Sequence, residues 1–168
     1  FTFRGVVRAV DGVHLTVGRG ESVGLVGESG SGKSTLAFSI LRIVPPPGRI
    51  VGGQIRFRGV NLLSLTEEEM RRIRGGEIAM VFQDPSIYLN PVLRVGEQLV
   101  EGMMQHSRLS REEAAERAVE ILGRLGIPSP RDVFRCYPHQ LSGGMKQRVV
   151  IGMAISCNPS LLIADEPT

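Results

Sequence analysis

The chain is poor in the residues that build covalently stapled or metal-held folds. Its two cysteines are Cys136 and Cys157. They form no CxxC pair and show no metal-ligand spacing, which excludes a disulfide framework and a zinc-type module. Both read as ordinary reduced thiols. No apolar run approaches the ~20 residues that a membrane-spanning helix needs, so any membrane role must run through a partner. The opening FTFRGVVRAVDG lacks the basic-then-apolar layout of a signal peptide and an initiator methionine, so a clipped N-terminus is expected. Internal repeats and low-complexity tracts are absent too. Lysine is scarce: of 20 basic residues only Lys33 and Lys146 are lysines, and the arginines are scattered. With a net charge of only +3, that spread argues against a dedicated nucleic-acid groove. A pI near 9.3 leaves weak phosphate affinity open.

What is present is a globular composition, with 42% hydrophobic and 22% charged residues in 168 positions. That length carries a full core as one domain or one domain with an insertion. Val13, Leu15 and Val17 alternate as in a strand, and Ser22–Val26 reads as a buried strand leading into a glycine loop. From Lys33 the spacing of Leu36, Ile40, Leu41 and Val44 fits a helix ended by Pro45–Pro47. Ile55 and Phe57 suggest an antiparallel edge strand. Thr66 with Glu69 forms a capping box for a short helix through Arg74. Ile78–Phe82 reads as a buried strand that delivers Gln83. From about Leu89 the character turns helical, with Val95–His106 and a second helix capped by Ser110 and Glu113. On that helix Ala114, Ala118, Ile121, Leu122 and Leu125 share a face, and Gly126 is placed to end it. Ser142 opens a further helix to about Cys157, and Leu161–Ala164 returns as a core strand.

Three segments carry chemistry. Gly27, Glu28, Ser29, Gly30, Ser31, Gly32, Lys33, Ser34 and Thr35 form a Gly-x4-Gly-Lys-Ser loop between a predicted strand and a predicted helix. Its glycines let backbone N–H groups turn toward phosphate, and the helix start adds partial positive charge. Lys33 suits the β- and γ-phosphates of ATP, and the Ser34 hydroxyl suits magnesium. Leu161–Ile163 runs into Asp165 and Glu166. Asp165 is placed to hold Mg2+ through water, and Glu166 to polarise an attacking water. Ser142, Gly143, Gly144 and Met145 make a small-residue helix start, a second anion site whose bland alternative is a plain N-cap. Gln83 could sense both magnesium and the water.

The ordered set GESGSGKST, VFQDP, LSGGMKQR and LLIADEPT resembles the nucleotide-binding subunit of an ATP-binding cassette transporter over essentially the whole chain. PPPGRIVGGQIRF, FQDPSIYLNPVLRVGEQL, YPHQLSGGMKQR and SCNPSLLIADEPT resemble the dipeptide, oligopeptide and nickel importer ATPases. The resemblance implies an α/β P-loop NTPase (RecA-like) core with an antiparallel β edge subdomain and an inserted α-helical subdomain. It divides the chain into 1–88, 89–141 and 142–168. It makes Gly27–Thr35 the Walker A loop, Gln83 the Q-loop glutamine, Ser142–Met145 the signature, and Asp165 with Glu166 the Walker B pair. ATP and Mg2+ are the implied ligands, with Ser34, Gln83 and Asp165 about the metal and Gln83 and Glu166 catalytic. Phe3, or less so Phe1, is the candidate for stacking on adenine. The implied partners are a second ATP-binding subunit, transmembrane permease subunits and, indirectly, a solute-binding protein, at the cytoplasmic face of the membrane. A DNA-maintenance ATPase shares the signature, but Lys33 to Ser142 holds neither coil heptads nor CxxC pairs.

Two departures from the family pattern concern side chains. Met145 stands where many cassettes have glutamine, and SIYLNPV replaces a commoner small polar run within Gln83–Gln98, a stretch expected to dock a permease coupling helix through a surface of Ile87, Tyr88, Leu89, Val92 and Leu93. A third is that no D-loop or switch histidine follows Thr168, so a cassette cut short, with weak or no turnover, is expected. His14, His106 and His139 lie upstream and read as surface or structural groups.

Overall fold

The computed structural model describes Gly5 and residues 7–167. The chain divides into two compact units, one up to Ser64 and one from Leu65 onward. The divisions at 88 and 141 both fall inside the second.

The first unit contains helix α1 (Lys33–Leu41) and a small antiparallel hairpin. In the hairpin, β1 (Arg56–Phe57) pairs with β2 (Val60–Asn61), followed by a 3-10 turn at Leu62–Ser64. Helix α1 ends before the prolines. Arg42 adopts a left-handed conformation at φ 54° and its N–H closes on the Phe38 and Ser39 carbonyls, so the stop is a backbone cap. The hairpin expected around Ile55 and Phe57 is present. The strands expected at Val13–Val17 and Ser22–Val26 are not: no strand is assigned there, and Leu25 is 51% and Val26 94% exposed. Apolar composition gives these residues strand propensity, but a strand exists only through its ladder. Among the described residues none supplies it.

The second unit is helical around a two-stranded parallel sheet. β3 (Ile78–Val81) pairs with β4 (Leu161–Ala164) in the register Ile78↔Leu161 through Val81↔Ala164. Parallel neighbours need a long crossover, and here it carries α3 (Pro85–Tyr88), α4 (Val95–His106), α5 (Arg111–Arg124), α6 (Pro130–Arg135) and α7 (Gly143–Ile155). Helix α2 (Glu67–Ile73) precedes β3. β3 is buried at all four positions, whereas β4 alternates half-buried with exposed. β4 is therefore less of a core strand than its apolar sequence suggests.

The capping boxes form at both expected helices. Thr66 Oγ1 accepts the Glu69 N–H at 3.3 Å, and Glu69 Oε2 accepts the Thr66 N–H at 2.7 Å. Ser110 and Glu113 repeat this at 3.2 and 2.7 Å. Behind them, Leu99, Met103, Ala118, Leu122 and Val149 are fully or nearly fully buried in one cluster with Val81. Each large member contributes about 1.5–3 kcal/mol of transfer free energy. Two glycines set the helix spacing. A Cβ at Gly96 of α4 would lie 2.5 Å from the Phe134 ring of α6. One at Gly152 of α7 would lie 3.1 Å from Leu125 and 3.3 Å from Ile121. This core holds the ends of β3 and β4, where the candidate chemistry gathers.

Candidate functional site

In the first unit, the glycine loop is shaped by its backbone. Gly30 and Gly32 have φ of 79° and 91°, a region that other residues enter at a cost. A Cβ at Gly32 would also collide with the Ala9 carbonyl oxygen. Gly32 is the N-cap of α1 and offers no side-chain cap, so the N–H groups of the first turn are left for an incoming anion. The Lys33 ammonium arches back over the loop, donating to the Gly27 and Glu28 carbonyls at 2.7 Å each. Ser34 and Thr35 follow it in the first turn of α1.

In the second unit, the β3–β4 register determines what meets at the strand ends. Asp165 N–H continues the ladder to the Val81 carbonyl at 2.9 Å. One residue further, Glu166 turns into the left-handed region at φ 46°. Its carboxylate Oε2 accepts the Gln83 side-chain N–H at 2.7 Å. The structure thus joins Gln83 and Glu166, residues that sequence reading placed at separate strand ends.

Sequence reading placed Tyr88 on a partner-facing surface but missed its ring contact. Its ring stacks on Phe82 with centroids 3.8 Å apart and planes at 12°. Burial, with the Asp165 and Asp84 carboxylates, holds its phenol above the usual tyrosine range. The only sequence signal was the bulky SIY in the loop after Gln83. Asp84 caps α3, its Oδ1 accepting the Ser86 N–H at 2.8 Å. Of the apolar residues expected on this surface, Ile87 (73%), Tyr88 (42%) and Val92 (75%) are exposed. Leu89 is not: at 2% it belongs to the core, because the chain turns inward there. Buried Gln98 fixes that turn, accepting the Asn90 N–H at 2.9 Å and donating to the Asn90 and Leu93 carbonyls at 3.0 and 3.1 Å.

Ser142 is the N-cap of α7, its Oγ accepting the Met145 N–H at 3.3 Å. Cβ atoms at Gly143 or Gly144 would meet nothing within 4 Å, so the helix start is open to approach. No hydrogen bond among the described residues joins Ser142–Met145 to Gln83, Asp165 or Glu166. His14 is exposed, His139 stacks on Tyr137, and His106 packs against Gly75 and Gly76, burial lowering its pKa. Both cysteines are free and half-buried. Phe1 and Phe3 lie outside the described residues.

In the second unit the Asp165 carboxylate and the Gln83 carbonyl oxygen are hard oxygen donors of the kind magnesium takes, and in the first unit the Ser34 hydroxyl is another. Among the described residues no group of three or more His, Cys, Asp or Glu could hold a metal alone.

A family model described as ABC transporter matches residues 10–168. The oligopeptide transport ATP-binding protein OppD of Bacillus subtilis is 49% identical over 168 residues, covering 99% of this chain and 47% of the relative. The dipeptide transport ATP-binding protein DppD of Escherichia coli K12 is 48% identical over 161 residues, 96% of this chain and 49% of the relative. Among solved structures, the ATP-binding cassette MJ0796, in a dimeric post-hydrolysis state bound to ADP and Pi, superposes with a TM-score of 0.86. It shares 32% identity, covering 100% of this chain and 70% of that one. The chain spans about half the length of the curated relatives it matches.

Proposed function

The chain belongs to the ABC transporter family, and from that premise we propose that it is the ATP-binding and ATP-hydrolysing part of an importer for di- or oligopeptides. Its fold is the P-loop NTPase cassette with an inserted helical subdomain. The observation that carries the enzymatic reading is the hydrogen bond from Gln83 to Glu166, which gathers a carboxylate and an amide where the two core strands end.

In this reading Gly27–Thr35 wraps the phosphates of ATP, with Lys33 neutralising the β- and γ-phosphates. Ser34, Gln83 and Asp165 hold Mg2+, which when bound neutralises phosphate charge. Glu166 takes the proton of the attacking water as the water oxygen bonds to the γ-phosphorus and the ADP oxygen leaves. Gln83 holds the Glu166 carboxylate in place until substrate competes for its amide. Ser142–Met145 serves the phosphate of a second ATP-binding subunit, so the active form is a dimer. The dimeric state of the MJ0796 cassette supports that arrangement.

The stretch Gln83–Gln98 docks a permease. Exposed Ile87, Tyr88 and Val92 provide apolar contact, and Phe82–Tyr88 stacking links that surface to the strand end beside Glu166. No helix among the described residues is long and apolar enough to cross a membrane. In this reading the chain attaches to the cytoplasmic face through the permease. The solute-binding protein acts one step removed. The names of the relatives favour a peptide cargo over nickel. ATP-driven uptake of a labelled dipeptide into vesicles carrying the reconstituted complex tests this. Uptake of nickel or a sugar with no peptide uptake would refute the cargo while leaving the ATPase reading intact.

A further inference from the structure

The helical part of the second unit contains a cleft of about 190 Å³, between the starts of α4 and α5 and the end of α6. Three arginines line it: Arg94, Arg111 and Arg135. None of them is within ion-pair distance of a carboxylate among the described residues. The contrast with Arg131, one turn earlier on α6, is direct. Arg131 is held by both oxygens of Glu116, at 3.1 and 2.8 Å. The single acid in the cleft wall is Glu97, and its Oε2 already accepts the Arg94 backbone N–H at 2.9 Å.

The walls are formed, not incidental. Phe134 makes an apolar side of the cleft with Val100 and Ala115. Its ring fits against α4 because residue 96 has no Cβ; one there would sit 2.5 Å from three ring atoms. The Arg94 guanidinium lies over the Tyr137 ring, 5.8 Å from its centroid, a cation–π contact that restricts its direction. Three cationic residues around a cleft with a single acid leave it a net positive charge, and a bound dianion relieves the repulsion among them. Guanidinium forks match phosphate oxygens in pairs. We propose that this cleft binds a phosphomonoester, its dianionic head held by Arg94, Arg111 and Arg135 and its carrier resting on Phe134. Inorganic phosphate has the same head without the carrier and binds the same forks more weakly.

The test is an amide-resolved NMR titration of the protein with phenyl phosphate and, separately, inorganic phosphate at constant ionic strength. Saturable shifts centred on Gly96, Arg111, Phe134 and Arg135 are expected, with phenyl phosphate the tighter ligand. Both Arg111 and Arg135 are exposed, so their variants keep the fold. Arg111→Ala and Arg135→Ala each weaken binding about tenfold, as loss of a charged hydrogen bond does. Arg135→Lys, which keeps charge and loses the fork, falls between. Lys33→Ala leaves these shifts unchanged, separating the cleft from the phosphate loop. Shifts confined to Gly27–Thr35, shifts that do not saturate, or parental affinity in Arg111→Ala would overturn the proposal.

Discussion

Gln83 and Glu166 meet because the strands before them pair in parallel at a constant offset of 83 positions, and the same offset carries past the strand ends. Gln83 lies two residues after Val81, and Glu166 two after Ala164, the last paired couple. The Gln83 amide then closes on the Glu166 carboxylate at 2.7 Å.

That contact makes Glu166 the residue to alter for chemistry. Glu166→Gln removes the base and leaves the phosphate loop untouched. In the full-length protein we expect ATP affinity within about twofold of parent, and turnover lower by about 10²-fold or more. Phosphate release measured beside a calorimetric ATP titration separates the two. Parental turnover would assign the proton to another group.

Two glycines on α4 make opposite predictions for stability. Gly96→Ala forces a Cβ against the Phe134 ring, and overpacking of this kind costs about 1–3 kcal/mol. At Gly102 a Cβ meets nothing within 4 Å, so Gly102→Ala gains helix propensity of about 0.5–1 kcal/mol. Thermal melts should move down for the first and up for the second. The same sign for both would mean that the α4–α6 contact does not set the spacing.

Acid should loosen the capped helices. Backbone and then side-chain hydrogen bonds from Ser110 hold the Glu113 carboxyl below the usual glutamate range, and Thr66 does the same for Glu69. The folded state therefore binds fewer protons than the unfolded one. The stabilisation is complete above the ordinary glutamate value, roughly 4.3, and is lost as pH falls through the lower folded values. Glu113→Gln keeps an acceptor without the titration, so its melting temperature should fall less steeply below about pH 4.3 than that of the parent. Parallel profiles would remove Glu113 from the acid response.

The docking surface is tested at Tyr88, exposed at 42%. A Tyr88→Cys protein should crosslink to a cysteine in a cytoplasmic loop of its permease, with a yield that changes on adding ATP. No crosslink at 88 or at Ile87 would place the permease elsewhere.

Legibility in the sequence followed the range of the forces involved. Helix α4 falls at Val95–His106 as its pattern indicates, and Thr66, Ser110 and Ser142 cap their helices. These signals are local: a hydroxyl, a carboxylate three residues on, an apolar stripe. The glycine loop was equally readable, because Gly30 and Gly32 adopt the positive φ that only their residue type enters freely. Ser22–Val26 misled because a strand depends on a partner that its own residues do not encode. Leu89 misled because only the bonds of Gln98 to Asn90 and Leu93 reveal that the chain turns inward. The left-handed turn at Glu166 had no sequence signal, since glutamate has no preference for φ 46°.

The central claim is that this chain binds MgATP through the loop at Gly27–Thr35. Its most direct test is a calorimetric titration of MgATP into the parent and into Lys33→Ala. Saturable one-site binding by the parent and a dissociation constant about tenfold or more higher in the variant are predicted, from the loss of charged hydrogen bonds to phosphate. No binding by the parent, or equal affinity in the two proteins, would contradict the account.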